Sequence, residues 1–420
     1  MTEQKTDPES QADNPRQKPD VEAIVEELLK AENLDELLAS EGVLKQVLGQ
    51  TLEQMLQGEL TEHLGYERYE AKGRNSGNNR NGTYPRTLQT SNGEIRIEVP
   101  RDRNGEFEPR AVRKYETASN ELEDKVIAMY AKGMTVRDIQ AMLYDLYGAN
   151  VSASMVSTIT DKVWPLVEEW QNRPLETVYP VVFMDAIHLK IRQDHQVQNV
   201  AVYVVMGIIR EGKREILGHW IGDGAEGAQF WLAVLNDIKA RGTQDIFIAS
   251  VDGLTGFADA IETVFPQTRV QRCIIHQIRS SLKYVGHNDR KAFVKALKAI
   301  YQAATREAAQ AALLKLAEAW GKRYPVSVRS WQDHWEELAT FFDFGPEIRR
   351  LIYTTNGIEA YHRQLRKVTK NRGAFPTPEA ARKLLYLAHR DIAAKWSQSV
   401  FRWTAILNEL AIHFEDRLAL

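Results

Sequence analysis

Residues 179–185 read Tyr-Pro-Val-Val-Phe-Met-Asp, an apolar run that ends on a carboxylate. A second apolar run, Ile246-Phe-Ile-Ala-Ser-Val, ends directly before Asp252. Charge at the end of a buried strand is costly unless it has a partner or binds a ligand. Because buried runs of this kind alternate with helical segments, the sequence predicts a mixed α/β core in which crossover helices cover the strands.

Outward from these runs, the order of the predicted elements indicates a ribonuclease-H-like fold. Strands are predicted at 181–184, 200–209, 215–220, 246–251 and 269–273, with helices at 228–240 and 256–264. Residues 176–279 would form the first part of this core. Residues 280–350 contain only helical patterns rich in Ala, Leu, Lys and Trp, and therefore predict an all-α insertion. Residues 351–420 would supply the last helices of the core.

The first 118 residues predict a tail, a helical segment and a hairpin. Residues 1–20 are polar and are predicted to be disordered. Residues 21–65 are predicted to be helical, and their apolar residues must pack either on the rest of the chain or on a second copy. The segment is therefore a possible dimerisation segment. The apolar positions recur at three- and four-residue steps: Leu44, Val47, Leu48, Leu52, Met55, Leu56 and Leu60. Residues 66–118 combine a flexible basic loop at 72–82 with a hairpin that alternates around Ser91-Asn-Gly.

Residues 119–175 predict three helices in a helix-turn-helix-like arrangement. Gly133 and Gly148 break the helical pattern, while Thr135 can cap the second helix and Ser152 or Ser154 the third. In a DNA-binding unit the third helix would enter the groove, offering Ser154, Ser157, Thr158, Thr160 and Lys162. A purely structural three-helix bundle is the alternative. The N-terminal region is thus predicted to be mainly helical and DNA-binding.

Composition limits the class of protein. With 420 residues, two to four domains are expected, and no run is long enough to cross a membrane. A single cysteine, Cys273, excludes an intrachain disulfide, and the polar N-terminus shows no secretory signal, so a cytoplasmic location is expected. Residues 1–62 carry 15 acidic and 5 basic side chains, so within a total of −3 the remaining residues carry a net +7. This separation favours a DNA-facing body with an acidic accessory segment, although acidic helices can also serve solubility alone.

Three acidic residues, Asp185, Asp252 and Glu359, are the candidate functional residues. Glu359 opens a basic helix, and three converging carboxylates would bind hard divalent cations, two of which can drive phosphoryl transfer. Each residue also has a structural explanation. Asp185 could begin a turn, Asp252 could cap the next helix through Thr255 or Gly256, and Glu359 could form a capping box with Asn356.

Other polar residues surround this predicted site. Cys273 and His276 form half of a zinc motif, and since no second pair has suitable spacing, a structural role is favoured. Asp223, His188 and His219 lie near strand ends and are candidates to line the pocket. Basic residues predicted to contact DNA phosphates are Arg363, Arg366, Lys367, Lys370 and Arg372 after Glu359, together with Arg74, Arg80, Arg101 and Arg103 upstream.

Four segments of this sequence resemble the signature blocks of the Mutator-type DDE transposases of bacterial insertion sequences. They begin Val182-Phe-Met-Asp, Ser250-Val-Asp-Gly, Gln271-Arg-Cys-Ile and Thr354-Thr-Asn-Gly, and the resemblance covers about residues 40–400. It implies that Asp185, Asp252 and Glu359 form the catalytic triad and hold two Mg²⁺ or Mn²⁺ ions. It also implies a structural role for Cys273 and His276 near the active site.

The resemblance further implies an activity and partners. These are binding of terminal inverted repeats and target DNA, metal-dependent strand cleavage and strand transfer, a homodimer, and a bacterial, nucleoid-associated location. Two alternatives stay open from the residues alone. One is a ribonuclease-H-like nuclease or resolvase without strand transfer, and the other is a DNA-binding regulator.

Overall fold

The computed structural model describes residues 43–91, 93–114, 117–222, 227–254, 256–353, 355–396 and 398–418. The predicted tail at 1–20 and the first part of the predicted helical segment, 21–42, lie outside the described residues. The chain divides into two compact units. The N-terminal unit comprises Met1–Tyr130 and Met134–Thr160, and the C-terminal unit comprises Ala131–Gly133 and Asp161–Leu420.

In the N-terminal unit, a long helix packs on a two-stranded hairpin. Helix α1 (Val43–Leu64) contacts the hairpin formed by β1 (Arg80–Thr90) and β2 (Gly93–Asp102). Leu48, Leu52 and Leu56 of the apolar stripe pack with the hairpin residues of one hydrophobic cluster. This part of the stripe therefore packs within the chain, whereas Met55 is 51% exposed.

The hairpin begins earlier than the sequence indicated. The predicted loop at 72–82 instead contains a 3-10 turn, Ala71–Asn75, and the first residues of β1. The Tyr66 hydroxyl donates to the Asn78 carbonyl at 3.1 Å, and the Asn78 amide donates to the Asp102 carboxylate at 2.6 Å. The predicted loop is therefore shorter than 72–82, because residues 80–82 belong to β1, and residues 76–79 connect the turn to the strand.

The three predicted helices of this region are present as α2 (Asn120–Ala131), α3 (Val136–Tyr147) and α4 (Ala153–Asp161). Thr135 forms the expected cap, since its hydroxyl accepts from the Asp138 backbone N–H at 3.2 Å and its own N–H donates to the Asp138 carboxylate at 3.0 Å. Ser152 caps α4 by accepting from the Met155 N–H at 3.1 Å. Thr160, expected to face DNA, is buried, because it lies on the packed side of α4.

The C-terminal unit is built on one mixed sheet with the strand order β5-β4-β3-β6-β7. Its strands are β3 (Val178–Gln193), β4 (Gln196–Ile208), β5 (Arg214–Ile221), β6 (Asp245–Val251) and β7 (Arg269–Arg272). The pairs β3–β4 and β4–β5 are antiparallel, whereas β6 pairs parallel with β3, and β7 with β6. The mixed α/β core predicted from the apolar runs is thereby confirmed.

Asp185 lies in the middle of a strand, whereas the sequence placed it at a strand end. Parallel pairing of β3 with β6 stops at Met184–Val251, but antiparallel pairing with β4 continues to Gln193. Past this point the open edge of β3 pairs with Phe375, whose N–H donates to the Lys190 carbonyl at 2.8 Å. The predicted strand 181–184 was too short because the long hairpin with β4 overrides the turn preference of aspartate.

Helices account for the remainder of the described C-terminal unit. They are α5 (Trp164–Asn172), α6 (Ala228–Ala240), α7 (Phe257–Val264), α8 (Ile274–Leu282), α9 (Arg290–Tyr301), α10 (Arg306–Trp320), α11 (Pro325–Asp333), α12 (Trp335–Ala339), α13 (Pro346–Ile352), α14 (Asn356–Thr369), α15 (Pro378–Ala393), α16 (Trp403–His413) and α17 (Glu415–Leu418). The described residues of 280–350 form no strand. Within the described ranges, no helix is both long enough and apolar enough to cross a bilayer.

Candidate active site

Asp185 and Asp252 occupy neighbouring positions where two parallel strands separate. Each follows a member of the last parallel pair, Met184 and Val251. Burial raises the pKa of Asp252, and the charge of Asp185 raises it further. The Asp252 carboxylate accepts only a long hydrogen bond from Leu254, 3.4 Å from N to Oδ1, among the bonds of the described residues. The two carboxylates are therefore close enough to repel each other, and the charges of His276 and Arg272 offset this only in part.

Among the described residues, Asp252 does not cap the helix that follows it. Helix α7 begins after Gly256, which adopts φ 77°, and no side chain caps its first turn. Thr255, the other proposed capping partner, lies outside the described residues.

Asp185 is held ionised by a histidine from α14. Its carboxylate accepts from the Ala186 N–H at 2.9 Å, and its Oδ2 lies 3.3 Å from His362 Nδ1. Burial favours the neutral acid, but the His362 hydrogen bond, with the positive charge nearby, outweighs burial and lowers the pKa of Asp185. The His362 side chain is 1% exposed, so packing fixes its orientation toward Asp185.

Glu359 lies in the first turn of α14 and faces two cationic side chains. Its Oε1 accepts from Arg279 Nη1 at 2.7 Å and lies 3.5 Å from His276 Nε2. The capping box with Asn356 does not form, because Thr355 is the capping residue and no side chain bonds to the helix start. The carboxylate is therefore directed to α8 instead of to its own helix.

Cys273 and His276 connect the three carboxylates. The Cys273 N–H donates to the Val251 carbonyl at 2.8 Å, and its thiol lies 3.3 Å from the Thr355 hydroxyl. Hydrogen bonding to Cys273, together with the charges of Cys273, Asp185 and Asp252, raises the pKa of His276 to about 9 despite burial. The negative charges of both aspartates thus stabilise the protonated form of His276, and His276 contacts Glu359 directly.

The three carboxylates share this histidine but do not form one tight group of ligand atoms. In the described part of the chain, three such atoms lie within 4.8 Å of one another only for His63, Asp102 and Glu106 of the N-terminal unit. There, Asp102 accepts from the Asn78 amide at 2.6 Å and from the backbone N–H groups of Glu106 and Phe107 at 3.1 and 3.2 Å. Hydrogen bonds within the loop therefore account for the buried Asp102.

The other predicted pocket residues have different outcomes. His219 lies in one cross-strand row with Val204 and Asp185, so the three side chains share a sheet face. His219 is buried, and its Nε2 is 2.8 Å from the Tyr361 hydroxyl. The expectation for His188 was wrong: it alternates to the opposite face from Asp185 and is exposed. Asp223 lies outside the described residues.

A basic surface extends from Glu359 along α14. Arg363, Arg366 and Lys370 follow Glu359 at helical spacing, are exposed, and lie on its side of the helix. Lys367 is also exposed, whereas Arg372 is half-buried with its guanidinium 5.6 Å from the centre of the Phe375 ring.

The upstream arginines differ among themselves. Arg101 and Arg103 are exposed, and the Arg74 side chain lies outside the described residues. The Arg80 guanidinium donates to the Thr61 hydroxyl at 2.7 Å and to the Tyr66 carbonyl at 3.3 Å. Arg80 is therefore engaged within the N-terminal unit.

Two residues of this site were not singled out from the sequence. Arg279 lies one turn beyond His276 on α8, and His362 lies three residues beyond Glu359 on α14. Both follow a candidate residue at a spacing that places side chains on one helix face. That spacing was the available signal.

The chain is thus an α/β protein with an acidic cluster where parallel strands separate and a basic helix beside it. It matches the family described as Transposase, Mutator family, over residues 21–399, and it belongs to that family.

Curated relatives cover almost the whole chain. A probable transposase for insertion sequence element ISRM3-like from Sinorhizobium fredii is 46% identical over 94% of this chain and 98% of its own length. The transposase for insertion sequence element ISRM3 from Rhizobium meliloti is 45% identical over the same shares. Among solved structures, the Drosophila P element transposase strand transfer complex matches at a TM-score of 0.34 and 9% identity, covering 68% of this chain and 94% of that one. A likeness of that size does not define the fold.

Proposed function

We propose that this transposase is a DDE enzyme that binds the terminal inverted repeats of an insertion sequence and catalyses metal-dependent strand cleavage and strand transfer. The observation that carries the proposal is the pair Asp185 and Asp252. Asp185 is buried and Asp252 half-buried, at adjacent positions where β3 and β6 separate, and the pKa of Asp252 is raised by burial and by its neighbour. Neighbouring acidic side chains with a perturbed pKa are typical of a functional site.

We also propose that the core is ribonuclease-H-like, and the order and direction of its strands support this. Three antiparallel strands are followed by two parallel strands joined through helices, which is the order expected from the sequence. The candidate residues lie at the carboxyl ends of the parallel strands β6 and β7 or beside them. Ligands bind at this edge in open α/β sheets.

The donor atoms fit Mg²⁺ or Mn²⁺. Asp185, Asp252 and Glu359 offer carboxylate oxygens, the ligands that hard divalent cations prefer, and bound cations would relieve the repulsion at Asp252. Two such ions supply the positive charge that activates an attacking oxygen and stabilises a leaving oxygen in phosphoryl transfer. His362 would orient Asp185, and His276 would orient Glu359.

The remaining residues would position DNA. Arg363, Arg366 and Lys370 continue from Glu359 along one helix face and would bind backbone phosphates, which fixes the strand relative to the carboxylates. In the N-terminal unit, α4 exposes Ser154, Ser157 and Thr158 and would contact the terminal repeats. Catalysis would rest mainly on this positioning and on charge stabilisation.

The test is cleavage of labelled end DNA with Mg²⁺ by Asp185→Asn, Asp252→Asn and Glu359→Gln proteins. Each substitution removes a ligand charge while keeping the side-chain size, so we expect loss of both cut and joined products with DNA affinity retained. Glu262→Gln, at an exposed acid of α7, is the matched control and should cut as the wild type does. A wild-type rate in any of the three variants removes that residue from the site.

Two parts of the proposal have their own readouts. Joined products separate a transposase from a nuclease that only cuts. The homodimer expected from the resemblance is tested by light scattering of the protein with and without end DNA.

A further inference from the structure

A cavity of about 300 Å³ lies beside the edge strand β5 of the C-terminal unit. Helices α5 and α6 form two of its walls, and Arg382 of α15 lies at its margin. Four of its lining residues are aromatic and only partly buried: Trp164, Trp170, Trp220 and Phe230. We refer to these four as the aromatic pocket. Trp220 and Phe230 also pack against the hydrophobic core of the sheet. A cavity lined by aromatic side chains with a few polar groups is typical of a ligand site.

The indole N–H groups of Trp164 and Trp220 already donate to protein carboxylates, so these side chains offer the cavity mainly their ring surface. The Trp164 indole N–H donates to the Glu168 carboxylate at 2.9 Å, and the Trp220 indole N–H donates to the Asp237 carboxylate at 3.1 Å. The Asp237 carboxylate also lies 3.5 Å from the Arg241 guanidinium. The lining contains the carboxylates of Glu168 and Asp237 against the single guanidinium of Arg382, so the cavity combines aromatic surface with a negative charge that disfavours an anionic ligand.

Polar side chains at the rim narrow the class of ligand. Gln171 and Asn172 line the same cavity. The Gln171 carbonyl accepts from the His219 N–H at 3.0 Å, so Asn172 is the amide group suited to the edge of a planar polar ring. Clustered cations for a phosphate are absent from the lining, where Arg382 is the single basic side chain among the described residues. A planar, uncharged heteroaromatic ring fits this combination, and in a protein that acts on DNA that ring is a nucleobase.

The cavity borders strand β5, and one residue of β5 lies in the same cross-strand row as Asp185 of the candidate active site. His219 lines it, and Asp185, Val204 and His219 pair directly across three adjacent strands. Two strand spacings correspond to roughly 10 Å, or about three nucleotide steps along one strand of a duplex. Val204 and His219 are buried, so the strand would have to pass over them, and the base that reaches the cavity would lie at least about three nucleotides from the scissile phosphate.

We propose that the aromatic pocket binds an unpaired nucleobase, flipped out of the DNA end near the cleavage position. Unstacking a base costs a few kcal/mol, and stacking on an aromatic side chain returns about 1–3 kcal/mol. This inference rests on the proposed function, because it assumes that the ligand is a DNA end. The pocket would hold the strand open next to the carboxylates and keep the scissile phosphate in register.

The test is a double-mutant cycle between pocket residues and single bases, measured as DNA affinity without divalent cations so that no cleavage occurs. The full chain is used as wild type and as Trp164→Leu and Phe230→Leu proteins, with circular dichroism to verify folding. Trp320→Leu is the matched control, because Trp320 is also half-buried but packs on Tyr324 in the helical insertion. Each protein is titrated with end DNA in which one nucleotide at a time, across the cleavage position, is abasic.

We expect both pocket variants to bind intact ends about 5- to 100-fold more weakly. At one position, the abasic nucleotide should remove the difference in affinity between the wild type and the pocket variants, because no base remains there to stack on the pocket. Trp320→Leu should bind as the wild type does.

Additive losses at every position, or unchanged affinity in both pocket variants, would overturn the pocket proposal. Protein that cuts and joins ends but shows additive losses lacks the base pocket while keeping the proposed function. Protein that shows the coupling but never cuts has the base pocket without the proposed activity. Wild-type protein that binds no DNA contradicts both.

Discussion

At the residue scale, Glu359 differs from the two aspartates in the partner it has. Asp185 is held by a buried histidine, whereas Glu359 is bonded to Arg279, whose side chain is 58% exposed. A guanidinium on a carboxylate satisfies the charge that a cation would otherwise satisfy. The three carboxylates do not close to within 4.8 Å as a group, and the Arg279 contact provides a physical reason.

We therefore expect Arg279→Gln to bind Mn²⁺ more tightly than the wild type, by about 2- to 5-fold, because an exposed ion pair is worth up to about 1 kcal/mol. The measurement is the free Mn²⁺ signal in electron paramagnetic resonance titrations, which does not depend on cleavage. Lys283→Gln removes an exposed positive charge just beyond α8 and is the control. Weaker Mn²⁺ binding by Arg279→Gln would show that Arg279 orients Glu359 for the ion instead of competing with it.

Sequence reasoning identified the acidic residues and His276 but not the two other partners, Arg279 and His362. Asp185 and Asp252 were visible because each follows an apolar run. Arg279 and His362 were not, because their roles depend on how α8 and α14 are placed against the sheet. That placement is set by long-range contacts such as Ser250, whose hydroxyl donates to the Ile352 carbonyl at 3.0 Å. No local pattern encodes a contact across a hundred residues.

At the element scale, α15 packs near β5 through a buried aromatic group that includes two histidines. The His389 ring lies 4.7 Å from Trp170 and 6.0 Å from His219, centre to centre. Burial, with a smaller contribution from the charge of Arg173, lowers the pKa of His389 from 6.5 to about 3. His389 is therefore neutral in the folded protein at any pH where the chain is expected to work.

This burial predicts a pH dependence of stability. Below its ordinary pKa, His389 takes up a proton only in the unfolded chain, so the free energy of unfolding falls as pH drops from 6.5 toward 3. Between about pH 7.5 and pH 5.5 the loss from this residue is about 1.4 kcal/mol. His389→Phe keeps the ring and removes the titration, so its urea midpoint should shift less over this interval than that of the wild type.

The exposed His188 provides the control for this measurement. His188→Phe should retain the wild-type difference between the two pH values. A His389→Phe protein with the full wild-type shift would mean that His389 is accessible to protons in the folded state.

The ends of helices were predicted best where neighbouring residues in the sequence form the cap. Thr135 and Gly148 bound α3 as the sequence indicated, with Gly148 at φ 58°. Boundaries failed where tertiary contacts decide them, as in β3, which continues through Asp185 to Gln193 because β4 pairs along its whole length. The mixed sheet could be predicted from its apolar runs, but the position of Asp185 within it could not.

At the scale of the whole molecule, the net charge conceals where the positive charge lies. The chain carries −3 overall, yet its residues beyond 62 carry a net +7. On α14 the exposed basic side chains are collected on the side of Glu359. Binding to the phosphate backbone releases counterions, so its contribution can be measured separately from recognition of bases.

We expect Arg366→Gln to weaken binding to end DNA and to random DNA by similar factors, because a phosphate contact does not read sequence. The slope of log K against log salt concentration should become shallower by about 0.9, the value for one lost phosphate contact on duplex DNA. Lys291→Gln, at an exposed lysine of α9 in the helical insertion, should leave the slope unchanged. If Arg366→Gln keeps the wild-type slope but discriminates less between end and random DNA, Arg366 reads bases and the basic face of α14 has a different function from the one proposed.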